Sequence, residues 1–262
     1  MDSGLKNKKV LITASSKGLG KATAIEFAKE GATVIITSRN EENIKKAAQE
    51  IKDITNREVF PFTCDLSNGK DIDNLFDNIA KEFEGIDILV NNTGGPKPGN
   101  FDNVSDKDWQ TGFELVLLSM IRCIRCAIPY MRKQYFGRIV NFASSSFKQP
   151  IDNLILSNTF RTGILGLAKT LSVELAPYNI LVNTIGPGRI ETDRVAELDL
   201  EFANRSGLPL NEVKSKFKSL IPVGRYGEPE EFARVAVFLG SAANTFMTGQ
   251  ALLVDGGLVR AI

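Results

Sequence analysis

Seven short apolar runs recur along this chain, each separated from the next by a stretch of helical character. The runs are Lys9–Thr13, Thr33–Thr37, Val59–Cys64, Ile86–Val90, Gly137–Phe142, Ile180–Ile185 and Ala251–Val254. They are continuously apolar rather than alternating, the pattern of strands buried on both faces. Between them, Gly18–Glu30, Asn40–Ile54, Asp71–Phe83, Asp106–Tyr135, Leu156–Ala176 and Pro229–Leu239 read as helices. In the first of these Ala22, Ile25, Phe27 and Ala28 form the apolar side, and Gly31 ends it as a glycine beyond a helix C-terminus should. Strands joined by helices call for a parallel sheet covered on both faces, a doubly wound α/β architecture of three layers. The 262 residues suit one domain, 1–262. Residues 189–220 stand apart: they are charged and weakly periodic, and read either as a substrate lid or as a surface insertion.

Function is first bounded by what the chain lacks. There is no histidine, which excludes a Ser-His-Asp triad, a histidine base and a histidine metal site. Lys+Arg is 32 against Asp+Glu 31, so no basic excess points to nucleic acid or an anionic membrane. No apolar run approaches the roughly 20 residues that span a bilayer. The polar stretch Met1–Lys9 lacks the apolar core of a signal peptide, and the expectation is a soluble, cytoplasmic protein. Three cysteines, Cys64, Cys123 and Cys126, are too few for a disulfide framework. Cys123 and Cys126 have Cys-x-x-Cys spacing but lie inside a long helical stretch, where two small packing residues is the better reading.

After the first strand comes Thr13-Ala14-Ser15-Ser16-Lys17-Gly18-Leu19-Gly20. Glycines between a strand and a helix let the backbone approach a pyrophosphate, and the helix start offers free N–H groups and a positive dipole end. The alternative is a tight turn without ligand. In a Rossmann domain the second strand often ends in an acid bonded to the ribose 2′-hydroxyl. Here Ser38-Arg39 stands in that place. A guanidinium suits a 2′-phosphate, and Lys17 adds a second cation. These residues favour NADP(H) over NAD(H), against the simpler reading of Arg39 as a solvated loop residue.

The chain thereby resembles the short-chain dehydrogenase/reductase family, and within it the 3-oxoacyl-(acyl-carrier-protein) reductase-like members, along essentially its whole length. The resemblance rests on Thr13-Ala14-x-x-x-Gly18-x-Gly20, with Ala14 where the first glycine usually stands, and on Asp65-Leu66 at the adenine contact. Asn91-Asn92-Thr93-Gly94 follows the fourth strand, and Pro187-Gly188-Arg189-Ile190-Glu191-Thr192 resembles the segment that holds the carboxamide. Val254-Asp255-Gly256-Gly257 matches the family's ending. The resemblance implies a cofactor site of Thr13, Ser15, Ser16, Lys17, Gly18, Leu19, Gly20, Ser38, Arg39, Asp65, Leu66, Asn92, Thr93, Gly94, Arg161, Pro187, Gly188, Ile190 and Thr192. It also implies a homotetramer or homodimer.

The family's catalytic set is Asn, Ser, Tyr and Lys. Ungapped alignment from Trp109 puts the asparagine position on Val116. Alignment from Gly137-Arg138 puts the serine on Ser144, the tyrosine position on Ser157 and the lysine position on Arg161. A phenol titrates near 10 and is tunable, whereas a serine hydroxyl is a much weaker acid. Arg161 can hold ribose hydroxyls and stabilise an oxyanion but does not readily exchange its proton. None of Tyr130, Tyr135, Tyr178 and Tyr226 is expected to face the nicotinamide. Lys148 could swing towards the site or remain a solvated loop residue. Two readings follow. One is an NADP(H)-dependent oxidoreductase acting on a small carbonyl or alcohol through Ser144, Ser157 and Arg161. The other is a weak or inactive dinucleotide-binding homologue serving as a sensor or structural partner.

Overall fold

The computed structural model describes residues 2–261. Its core is a seven-stranded sheet: β1 (Lys9–Ile12), β2 (Thr33–Ser38), β3 (Val59–Thr63), β4 (Ile88–Asn91), β5 (Gly137–Phe142), β6 (Ile180–Pro187) and β7 (Ala251–Val254). The order is β3-β2-β1-β4-β5-β6-β7 and every pairing is parallel. Successive side chains on a strand point to opposite faces. Val10 and Ile12 therefore enter one apolar cluster with Phe27, Ile44, Ile51, Phe232 and Ala236, while Leu11 enters another with Ile72, Phe76, Ile79, Ile124 and Met131. Helices α1 (Gly18–Lys29), α2 (Glu41–Thr55) and α9 (Pro229–Gly240) supply the first cluster, and α3 (Gly69–Phe83), α5 (Ser119–Lys133) and α6 (Ile155–Leu175) the second.

This matches the doubly wound, three-layer expectation. The central strands β1, β4 and β5 are buried almost throughout because both faces are covered, with Asn91, Arg138 and Asn141 buried among their apolar residues. The expectation of seven buried strands is too strong at the edges. In β3 the pattern alternates, and all four residues of β7 are only half-buried, because each edge strand lacks a neighbour on one side.

Two segments depart from the sequence reading. Asp106–Tyr135 is the long helical stretch expected, unbroken to Lys133, but its winding changes partway. It comprises α4 (Asp106–Phe113), a π-helical turn at Glu114–Leu118, and α5. After Glu114 the turn is wholly apolar, Leu115–Leu118, so hydropathy gives no sign of it; such turns often accompany functional sites. Residues 189–220 hold two helices, α7 (Asp193–Ser206) and α8 (Leu210–Leu220). They lie at the carboxyl end of β6, beside the ends of β1 and β4. There the strand order reverses, and open α/β sheets bind ligands outside such a switch point.

Candidate active site

The turn between β1 and α1 is built by its own side chains. The Thr13 hydroxyl accepts the Asn92 N–H at 2.7 Å and donates to the Asn92 carbonyl at 2.7 Å. Ser15 is fully buried; its hydroxyl donates to the Ile12 carbonyl and accepts from the Thr37 N–H. Asn92 in turn donates to the Ala14 carbonyl at 3.0 Å. These bonds bring the ends of β1, β2 and β4 to one point. A Cβ on Gly20 would lie 2.7 Å from the Ala14 carbonyl oxygen, so only glycine lets α1 start this close to the turn. Ala14 sits at φ +46° and Gly18 at φ +57°, the left-handed region. No side chain caps α1 at Lys17, and its first turn carries no acid, which leaves its first N–H groups open to an anion.

These N–H groups face a cavity of about 910 Å³. Of the residues expected at a cofactor site, Ser16, Lys17, Gly18, Leu19, Ser38, Arg39, Leu66, Asn92, Thr93, Gly94, Arg161, Pro187, Gly188, Ile190 and Thr192 line it. Thr13, Ser15, Gly20 and Asp65 do not. The first three form the turn itself, and the Asp65 carboxylate accepts the Ser67 N–H at 3.0 Å and the Ser67 hydroxyl at 2.7 Å. Ser38 and Arg39 stand beside the turn, with the Ser16 hydroxyl 3.2 Å from that of Ser38. Lys17 forms an ion pair at 3.0 Å with Asp193 in the first turn of α7.

Ser144, Ser157 and Arg161 line the same cavity. Ser144 caps a 3-10 turn at Ser145–Phe147, its hydroxyl accepting the Ser146 N–H at 3.2 Å. Ser157 and Arg161 lie one turn apart on α6 and are both buried. Arg161 donates from Nη1 to the Phe142 carbonyl at 2.6 Å and from Nη2 to the Thr93 hydroxyl at 3.5 Å, while its Nε is buried without a partner. Burial, and then the nearby Arg194 charge, lower its pKa to about 10. Val116 lies in the π-helical turn, wholly buried against Met120, Leu156, Phe160 and Ile164, and offers the cavity nothing polar.

No tyrosine lines the cavity. The Tyr226 hydroxyl donates to Asp199 at 3.0 Å, and Tyr135 and Tyr178 pack on each other. Lys148 is exposed and outside the cavity; its neighbour Gln149 lines it instead. Cys123 is buried in α5 and Cys126 half-buried, and burial raises both thiols. The described residues contain no cluster suited to a metal, and no helix is long and apolar enough to cross a membrane.

Sequence reasoning missed the side chains that α7 and α8 bring in. Arg189, Arg194, Glu197, Leu198, Phe217 and Leu220 all line the cavity. Arg189 pairs with Asp199, which is fully buried and also holds the Tyr226 hydroxyl, and the Arg189 guanidinium lies 3.2 Å from the Phe217 ring centroid. This anchor ties both helices to the segment before α9.

A parallel sheet with a glycine-bearing turn at its switch point defines a dinucleotide-binding α/β protein of the Rossmann type. Residues 13–259 match the family model described as Enoyl-(Acyl carrier protein) reductase. A 3-oxoacyl-(acyl-carrier-protein) reductase of Aquifex aeolicus is 36% identical over 259 residues, covering 98% of this chain and 100% of that protein. The NADPH-dependent reductase BacG of Bacillus subtilis is 29% identical over 98% of this chain and 100% of its own. The crystal structure of L-sorbose reductase from Gluconobacter frateurii, complexed with NADPH and L-sorbose, superposes with a TM-score of 0.94 at 32% identity, covering all of both chains. The chain belongs to the short-chain dehydrogenase/reductase family.

Proposed function

We propose that the chain is an NADP(H)-dependent oxidoreductase that interconverts a carbonyl and an alcohol on a small molecule. The observation that carries this reading is one cavity joining two sets of residues. At one end are the uncapped start of α1, Gly18 and Arg39. Further in stand Ser144, Ser157 and Arg161. The turn fits a dinucleotide because a Cβ at Gly20 would close it. The α1 N–H groups would hold the diphosphate and Arg39 the 2′-phosphate. Bound there, the nicotinamide supplies or accepts the hydride. In the reducing direction a carbonyl held beside Ser144, Ser157 and Arg161 would gain a hydride at carbon and a proton at oxygen, with the nicotinamide as the two-electron donor.

With no tyrosine at hand, the side chains act by electrostatics. Ser144 and Ser157 donate hydrogen bonds to the carbonyl oxygen, and Arg161 offsets the negative charge that develops on it. The proton comes from water entering the cavity. A positioned general acid typically contributes a factor of about 10² to 10⁴, so turnover is slower by that order than in relatives with a tyrosine.

A direct test is fluorescence titration with NADPH and NADH, followed by NADPH consumption over a panel of ketones and aldehydes. The reading expects tighter NADPH than NADH binding, loss of that preference in Arg39→Ala, and turnover reduced in Ser144→Ala. A chain with no affinity for either dinucleotide refutes it. NADPH binding with no turnover on any substrate favours the second reading, a non-catalytic dinucleotide-binding protein, which the absence of a tyrosine from the cavity supports. Either reading is compatible with a homotetramer or homodimer; exposed Val173 on α6 and Phe246 before β7 offer apolar surface for it, and gel filtration measures it.

A further inference from the structure

Two arginines are buried in this fold, and the protein treats them differently. Arg138 is enclosed by carbonyl oxygens: its Nε donates to Ser241 and Asn244, and its Nη1 to Gly137 and Asn179. It is a structural cation with four acceptors. Arg161 has one good acceptor, the Phe142 carbonyl, a second at the limit of hydrogen bonding, and an Nε with none. A buried polar group without a partner is costly, more so when charged, and calls for a missing partner.

Arg161 does not stand alone. It reaches Thr93, in the loop that follows β4, and Arg194 on α7 covers Gly95 two residues further on, where a Cβ would lie 2.9 Å from its Nε. Both guanidiniums line the same cavity, and burial, then the Arg194 charge, lowers the Arg161 pKa. Like charges brought together in a partly dry site are unfavourable without an anion between them. None of the carboxylates among the described residues forms an ion pair with Arg161. Of the acids lining the cavity, Asp193 is held by Lys17 and Asp152 pairs with neither guanidinium, while Glu197 pairs with Arg194 at 3.5 Å from a largely exposed position; Arg194 also donates to the Pro96 carbonyl at 3.2 Å. Arg189 is neutralised by Asp199. Arg161 is therefore a buried cation without a carboxylate partner, lining the same cavity as Ser144 and Ser157. Beside it Leu115, Leu154, Leu198, Phe217 and Leu220 supply an apolar wall.

We infer that Arg161 and Arg194 form a carboxylate-binding subsite, and that the substrate is a short aliphatic oxo acid whose carboxylate lies between the two guanidiniums and whose chain packs on that wall. Two planar forks match a carboxylate in bidentate fashion. The anion would satisfy Arg161 Nε and set the ketone oxygen near the serine hydroxyls. The inference rests on the oxidoreductase reading and narrows it to a substrate class.

The test uses the NADPH-bound protein titrated with hexanoate and with hexanamide, which differ in charge but not in shape. NADPH fluorescence reports binding. Turnover of 3-oxohexanoate is compared with that of its methyl ester. Hexanoate should bind at least tenfold tighter than hexanamide, and 3-oxohexanoate should show a KM lower by a similar factor than the ester. Arg194→Gln, a substitution at a partly exposed position, should remove both preferences and leave the Kd for NADPH unchanged; Arg194→Lys should restore part of them. Equal binding of acid and amide, or a preference that survives Arg194→Gln, overturns the subsite. If NADPH binds and neutral ketones turn over without any carboxylate preference, the substrate class alone is wrong. If NADPH does not bind, the oxidoreductase reading falls and this inference with it.

Discussion

Replacing Arg161 by methionine should stabilise the ligand-free protein while impairing its chemistry. A guanidinium held at about 10 instead of 12.5 has its charged state disfavoured by about 3 kcal/mol, since one pKa unit is worth about 1.4 kcal/mol. Methionine has a similar length and removes that penalty. Against it stands the bond to the Phe142 carbonyl, whose loss leaves an acceptor unpaired at a cost of about 1–2 kcal/mol. The balance favours the variant by about 1–2 kcal/mol, a rise in Tm of roughly 3–6 °C for a chain of this size. Removing one member of a buried ion pair usually destabilises by about 3–5 kcal/mol, because a charge is left behind. No charge is left behind here. Differential scanning calorimetry without ligand measures the effect, and NADPH consumption should fall at least a hundredfold in parallel. A drop in Tm of 5 °C or more would show that Arg161 is a structural cation like Arg138, and would refute the argument from its unsatisfied Nε.

Three further outcomes are expected. Gly20→Ala places a Cβ 2.7 Å from the Ala14 carbonyl oxygen and 2.9 Å from Asn92 Nδ2, so the turn must open and NADPH affinity should fall at least tenfold by fluorescence titration. Ala14→Gly relieves a left-handed residue, worth about 1–2 kcal/mol, against about 0.4–1 kcal/mol of added unfolded-state entropy; a small rise in Tm of the wild-type fold is expected, and a fall would contradict it. Burial, with the bond to Asp199, pushes the Tyr226 hydroxyl up to about 12. Its folded pKa is raised above the ordinary value near 10, so its contribution is fully present below pH 10 and is lost as pH rises towards 12. Urea melts across that window should lose stability in the wild type and less in Tyr226→Phe, which itself costs about 1–2 kcal/mol at neutral pH.

The parts of this molecule legible in the sequence are those where a single physical rule decides. β1, β4 and β5 are covered on both faces and read as mainly apolar runs. The phosphate turn is marked by Gly20, where a Cβ would lie 2.7 Å from the Ala14 carbonyl oxygen. The helices α7 and α8 are hidden for the opposite reason. The only buried residues of α7 are Asp199 and Ala203, and of α8 only Val213, so neither carries the apolar stripe by which a helix is recognised. α7 is anchored through a carboxylate to Arg189 and Tyr226, partners distant along the chain or outside the helix. Arg194 was out of reach similarly: its neighbours are Gly95, Pro96 and Arg161, which only the folded chain brings near. In the motif around Thr13 and Ser15 the residues were legible but their work was not, because both hydroxyls are turned inward to the backbone.

The π-helical turn at Glu114–Leu118 has a consequence for how the family's scaffold can vary. An ordinary helix advances about 100° per residue, and the wide turn accommodates one residue beyond that count. Deleting a single position there would wind α5 about 100° around its own axis relative to α4. Cys123, Ile124, Ala127 and Met131, now seated under the sheet, would swing out towards solvent. Leu115 would leave the cavity wall or Val116 its socket. The surplus residue therefore acts as a gear setting between the half of this helix that packs under the sheet and the turn whose Leu115 lines the cavity, and chains that carry it are not free to lose it without re-meshing both.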